Sequence, residues 1–188
     1  MAATLNVFKL NNKGGAVDDQ ITPGACSDLE IDDREPEQWR SFGALSIRAK
    51  RSLMFHILYA ADSYEYTISV QSIVDMFNKG FELDIPVESD LVQTSSAIIE
   101  NRAELDSRYQ PYLTNWRAER LGVSTKLILR YAIWEMINTQ TSPSIVINEA
   151  VELAKCYAER DAYKFINGIL DEVLKTLPSQ SSEQVKAQ

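Results

Sequence analysis

From Leu127 to Ile137 the chain reads LILRYAIWEMI, nine apolar residues in eleven. A helix that is apolar around its whole circumference cannot lie on a surface, so this segment belongs at the centre of a helical bundle. Its two exceptions, Arg130 and Glu135, cannot stay charged in a core without partners. Both are expected to be satisfied by hydrogen bonds at a helix junction, with ligand contact as the alternative.

From Ser46 onward one helical period follows another, and no alternating run is long enough to read as a strand. The fold class is therefore all-α. The spacing predicts helices over about 44–61, 68–79, 87–102, 103–117, 124–139, 143–158 and 161–176. Lys79-Gly80 reads as a glycine stop, Gly122 as a break before an N-cap at Ser124, and Ser142-Pro143 as a proline at a first helical position. Such short connections imply antiparallel neighbours.

The last helix carries a conflict. Asn167-Gly168 is a hairpin signal, yet Ala162, Phe165, Ile166, Ile169, Leu170, Val173, Leu174 and Leu177 form one helical face behind Asp161 as N-cap. Eight apolar positions outweigh one dipeptide. At 100° per residue, Lys164, Asn167, Gly168 and Asp171 share the opposite side. Gly168 costs the helix about 1 kcal/mol relative to alanine, a cost that is useful if a second helix, a partner or a ligand must come close. A tolerated surface glycine is the plain alternative; contact with a second helix is the expectation.

At 188 residues and 45% apolar composition, the chain can bury a real core. No apolar run approaches the roughly 20 residues of a membrane span, and MAATLNVFKLNN lacks the order of a signal peptide, so a cytoplasmic location is expected. Cys26 and Cys156 lie far apart and are expected to be reduced. The formal charge of −8 argues against coating nucleic acid by bulk electrostatics. Charge is uneven, however: residues 1–45 hold eight acids against four bases, whereas SIRAKRSLMFH has three bases and no acid. Residues 1–43, with Gly14-Gly15, Pro23-Gly24 and DLEIDDREPE, read as a flexible acidic tail, 44–177 as the helical domain and 178–188 as a disordered end.

Catalytic parts are missing from the sequence. It has no glycine-rich phosphate loop, HExxH or CxxC, and its one histidine, His56, sits in the apolar helix SLMFHILYAA. Such a histidine is more often a satisfied core or junction residue than a catalyst. No cofactor or metal site is expected, and carboxylate spacing singles out no acid and base pair. Arg48 and Arg51, three apart, share a helix face with Lys50 on its flank; clustered bases supply phosphate contacts, and Tyr163 or Tyr112 offers stacking to an unpaired base.

The stretch PSIVINEAVELAKCYAERDAYKFINGILDEVL resembles the C-terminal half of the NusB transcription antitermination factors. Pro143, Val146, Ile147 to Lys155, Asp161, Lys164, Phe165, Asn167, Gly168, Leu170 and Asp171 fill that family's pattern. NWRAERLGVSTKLILRYAIWEM is similar to its W-x-x-x-R-L and I-L-R-x-A-x-Y-E, with Trp134 where tyrosine is common; Pro111 to Leu113 and Ile57 to Tyr59 also fit. The likeness covers about residues 46–176.

The resemblance implies two packed three-helix subdomains extended by a seventh helix, and a function without catalysis. NusB proteins bind NusE, the small-subunit ribosomal protein, and the pair grips a single-stranded RNA element called boxA, letting RNA polymerase resist termination on ribosomal RNA operons. Carried over by position, RNA contacts fall on Arg48, Lys50 and Arg51, on Asp161, Tyr163 and Lys164, and on Tyr112; Tyr59 and Thr125 fall where the family meets NusE. Some members self-associate, so a homodimer stays open. Here SIRAKR is sparser in bases than the family's usual start and follows an acidic stretch. The alternative is therefore a protein-only scaffold of NusB fold, its RNA binding lost or blocked by the tail. A fused RNA methyltransferase, a third class, would need a cofactor fold for which the chain has no room.

Overall fold

The computed structural model describes residues 42–113 and 121–177. Among the described residues there are seven α-helices, two short 3-10 turns and no strand. The chain divides into two compact units between Ile99 and Glu100. The tail and terminal segment expected at 1–43 and 178–188 lie outside the described residues except for Phe42 and Gly43, as do Trp116 and Arg120 of the family motif.

The first unit holds α1 (Ile47–Ser63), α2 (Val70–Phe81) and α3 (Asp90–Glu100). Serines open the first two: the Ser46 hydroxyl accepts the Ala49 N–H at 3.1 Å, and the Ser69 hydroxyl accepts the Ser72 N–H at 3.1 Å. Leu53, Phe55, Ile57 and Leu58 of α1, Ile73, Val74 and Phe77 of α2, and Leu91, Val92 and Ile98 of α3 are buried. The expected stop at Lys79-Gly80 does not occur. The helix runs on to Phe81, whose ring packs 5.5 Å from that of Phe77 one turn earlier, and Glu82 takes the left-handed position instead. Beyond it, the Asn78 side chain donates to the Ile85 carbonyl at 3.1 Å and accepts its N–H at 2.9 Å, which pins the connection to α3.

The second unit holds α4 (Arg102–Tyr109), α5 (Val123–Asn138), α6 (Pro143–Tyr157) and α7 (Ala162–Thr176). The helix expected over 103–117 ends as an α-helix at Tyr109 and tightens into a 3-10 turn, Gln110–Tyr112. Pro111 accounts for part of the change, because it has no N–H to donate to the preceding turn, although Gln110 itself keeps right-handed helical backbone angles. The all-apolar segment is the centre of this unit: α5 packs against α4, α6 and α7 and buries Leu127, Ile128, Leu129, Ala132, Ile133 and Met136. Arg130 is satisfied as expected. Its Nε and Nη2 donate to the two carboxylate oxygens of Asp106 on α4, each at 2.7 Å, and the buried Tyr109 hydroxyl donates to the same carboxylate at 2.9 Å. Glu135 is buried on the same helix.

At the N-terminus of α5 the cap is Gly122, not a break before Ser124. The Glu159 carboxylate, from the α6–α7 connection, occupies the space where a Gly122 Cβ would lie and accepts the Thr125 hydroxyl at 2.7 Å. A negative group beside a helix start is favourable, and only glycine lets it come so close. Ser142 and Pro143 open α6 as the sequence suggests, and Asp161 is the N-cap of α7. Cys156 is half-buried near the end of α6; Cys26, the other half of the expectation of two reduced thiols, lies outside the described residues.

Two predictions follow from these contacts. Truncating one member of the Arg130–Asp106 pair leaves a largely buried charge alone, so Asp106→Ala should cost about 3–5 kcal/mol in urea unfolding. The double variant Arg130→Met, Asp106→Leu should cost much less than the sum of its singles, because it strands no charge. The second concerns His56, whose pKa is lowered from 6.5 to about 4 by loss of solvation on burial. Between those values the unfolded chain binds the proton that the folded chain refuses, so this contribution is intact above pH 6.5 and is lost as the pH falls toward 4. Urea midpoints from pH 7 to pH 5 should fall more steeply for the natural chain than for His56→Gln, with a difference approaching about 1.4 kcal/mol per pH unit.

Candidate nucleic-acid interface

Arg48, Lys50 and Arg51 fall in the first turns of α1, a helix with no acid in its first turn. The Ser46 cap starts the helix where it does and so places Arg48 and Arg51 one turn apart. Arg48 is exposed, Lys50 and Arg51 half-exposed, and Lys50 Nζ lies 4.8 Å from the centre of the Phe42 ring. Cations at a helix N-terminus oppose the helix dipole.

The second group lies in the second unit. Asp161, at the cap of α7, accepts a hydrogen bond from Lys164 Nζ at 2.8 Å. That bond holds the Asp161 carboxyl below its ordinary pKa and raises the Lys164 ammonium above its own. Lys164 Nζ also lies 5.5 Å from the centre of the half-buried Tyr163 ring. Sequence reasoning missed a fourth member, Lys155 in the last turn of α6, whose Nζ lies 5.8 Å from the same ring and 2.6 Å from Glu152. The only signal for it was its place in the family motif, since its approach to Tyr163 depends on the α6–α7 turn.

The remaining candidates stand in different settings. Tyr112 ends the 3-10 turn after α4 and is half-buried. Tyr59 is half-exposed on α1, 6.0 Å from the Phe55 ring. Thr125 is buried with its hydroxyl bonded to Glu159, so the exposed group at that point is Glu159. Among the described residues, an added Cβ at Gly168 would meet nothing within 4 Å, so the expected contact with a second helix is not made there by any of them, and Asn167 bonds to Asp171 at 3.1 Å. Among the described residues no group of histidine, cysteine, aspartate and glutamate side chains is placed to hold a metal, and no helix is long and apolar enough to cross a membrane.

Residues 48–175 match the model of the NusB family. The Transcription antitermination protein NusB of Staphylococcus carnosus (strain TM300) is 32% identical over 127 residues, covering 67% of this chain and 97% of that protein. That of Macrococcus caseolyticus (strain JCSC5402) is 31% identical over 131 residues, covering 70% and 98%. Among solved structures, NusB of T. maritima superposes with a TM-score of 0.61 at 28% identity, covering 70% of this chain and 92% of that one. The residues of both basic groups lie within the matched region, and the chain belongs to the NusB family.

Proposed function

We propose that this protein is a transcription antitermination factor of the cytoplasm. It binds a boxA-type single-stranded RNA together with NusE, the small-subunit ribosomal protein, and supports ribosomal RNA transcription within the RNA polymerase antitermination complex. The observation that carries the reading is the family match over residues 48–175, whose relatives bear the name transcription antitermination protein. Physical chemistry supports it at two places. The start of α1 gathers Arg48, Lys50 and Arg51 with no acid in its first turn, and the start of α7 offers an aromatic face and a lysine at Tyr163 and Lys164.

Each part has a task in this reading. Arg48, Lys50, Arg51 and Lys164 meet phosphates, and Tyr163 and Tyr112 offer faces to unpaired bases. Asp161 orients Lys164 through their hydrogen bond. Tyr59, on the outer side of α1, contacts NusE, with Thr125 supporting Glu159 at a second point. Because the chain is acidic overall, affinity for RNA alone is modest and NusE makes up the difference.

The test is a titration of a boxA-like RNA at several salt concentrations, with and without NusE. Four phosphate contacts predict a slope of log K against log salt near about −3 on single-stranded RNA. The double variant Arg48→Ala, Arg51→Ala should shallow that slope by about 1.4 while leaving thermal unfolding nearly unchanged. Absence of binding at low salt in both conditions would sink the proposal.

A further inference from the structure

Two ammonium groups from two different helices converge on one ring. Lys155 of α6 and Lys164 of α7 each place Nζ within 6 Å of the centre of Tyr163, at 5.8 and 5.5 Å. Each is held by an acid three residues earlier in the chain, Glu152 at 2.6 Å and Asp161 at 2.8 Å. An isolated surface ion pair of this kind contributes little and needs no function. The convergence is different, because it brings two cations, each already paired with its own carboxylate, to one aromatic ring from two helices.

We propose that Lys155 is a further phosphate-binding residue of the RNA site: a base stacks on Tyr163, Lys155 and Lys164 take the phosphates that flank it, and Glu152 is the internal anion that RNA must displace from Lys155. This rests on the RNA-binding function proposed above. Tyr163 is half-buried and therefore firmly placed, while the lysine side chains keep 35% and 66% of their surface open. A base that stacks on the ring displaces an ammonium from it, and the freed ammonium is already beside the backbone of the stacked nucleotide. The Glu152 carboxylate competes for Lys155 with that phosphate, so it sets affinity without touching RNA.

The experiment uses the full chain, alone and with NusE, and a labelled boxA-like RNA. Lys155→Ala should weaken binding by about three- to tenfold and shallow the salt slope by about 0.7, the value of one phosphate contact on a single strand. Lys155→Arg should restore both. Glu152→Gln should tighten binding by about two- to fivefold at low salt, with the gain fading as salt screens the charges. A tighter complex cannot come from a misfolded variant, so this arm stands even if Lys155→Ala lowers stability. If the natural chain binds RNA and neither Lys155→Ala nor Glu152→Gln moves affinity or slope, the inference is overturned while the function stands. A Lys155→Ala loss confined to NusE affinity overturns it likewise, by assigning the surface to protein contact. Failure of the natural chain to bind RNA at low salt removes the function and this inference together.

Discussion

The bidentate pair between Arg130 and Asp106 is the constraint on which the second unit depends. A helix as apolar as α5 has no intrinsic preference for one rotation in a bundle, because every face is equally content to be buried. One buried guanidinium removes that freedom. Its planar fork needs a carboxylate at one place and one angle, and Asp106 supplies it only if α4 lies across that turn of α5. Tyr109 completes the cluster from the same short helix, donating to the carboxylate from a ring that is almost wholly buried. The pair thus specifies the arrangement of α4 and α5, whatever its net contribution to stability.

A second polar tie sets the other end of α5. Glu159 stands over Gly122 and accepts from Thr125, so the connection between α6 and α7 is fastened to the start of the central helix. Asp161 and Tyr163 follow within four residues of that fastening, and Lys155 precedes it by four. The convergence of Lys155 and Lys164 on Tyr163 is therefore downstream of a contact that touches no ligand. Packing places the helices; this hydrogen bond places the turn, and the turn places the charges. In the second unit each lysine near Tyr163 keeps its own carboxylate.

Periodicity made the helices legible because burial is what periodicity encodes. The apolar run of α5 showed its central place, Pro143 marked the start of α6, and Asp161 marked that of α7. Local stops were misread where a longer-range contact decided them: Phe77 and Phe81 carry α2 past Gly80, and Glu159 reaches Gly122 from another helix junction. Pro111 could have been read as ending α4, since its effect is local. Asp106, Glu159 and Lys155 were not legible as partners, because an exposed-looking acid or base in a sequence carries no mark of what it will face. The resemblance supplied the basic residues of α1 and α7; only the fold added Lys155 to them.

Asn167-Gly168 shows how magnitudes settle such conflicts. The dipeptide favours a tight turn and costs a helix about 1 kcal/mol at the glycine with less at the asparagine. On the opposite face Ile166, Leu170 and Val173 are completely buried and Ile169 nearly so, each such side chain contributing about 1.5–3 kcal/mol. The core face outweighs the surface pair several times over. Asn167 then uses the geometry it is given, bonding to Asp171 one turn on, as helix neighbours do. Among the described residues no neighbour requires a glycine at 168, since a Cβ there would meet nothing within 4 Å. Lys164, one turn earlier on this face, is exposed as well, so the burial of α7 falls on its core side while the lysine keeps its surface open.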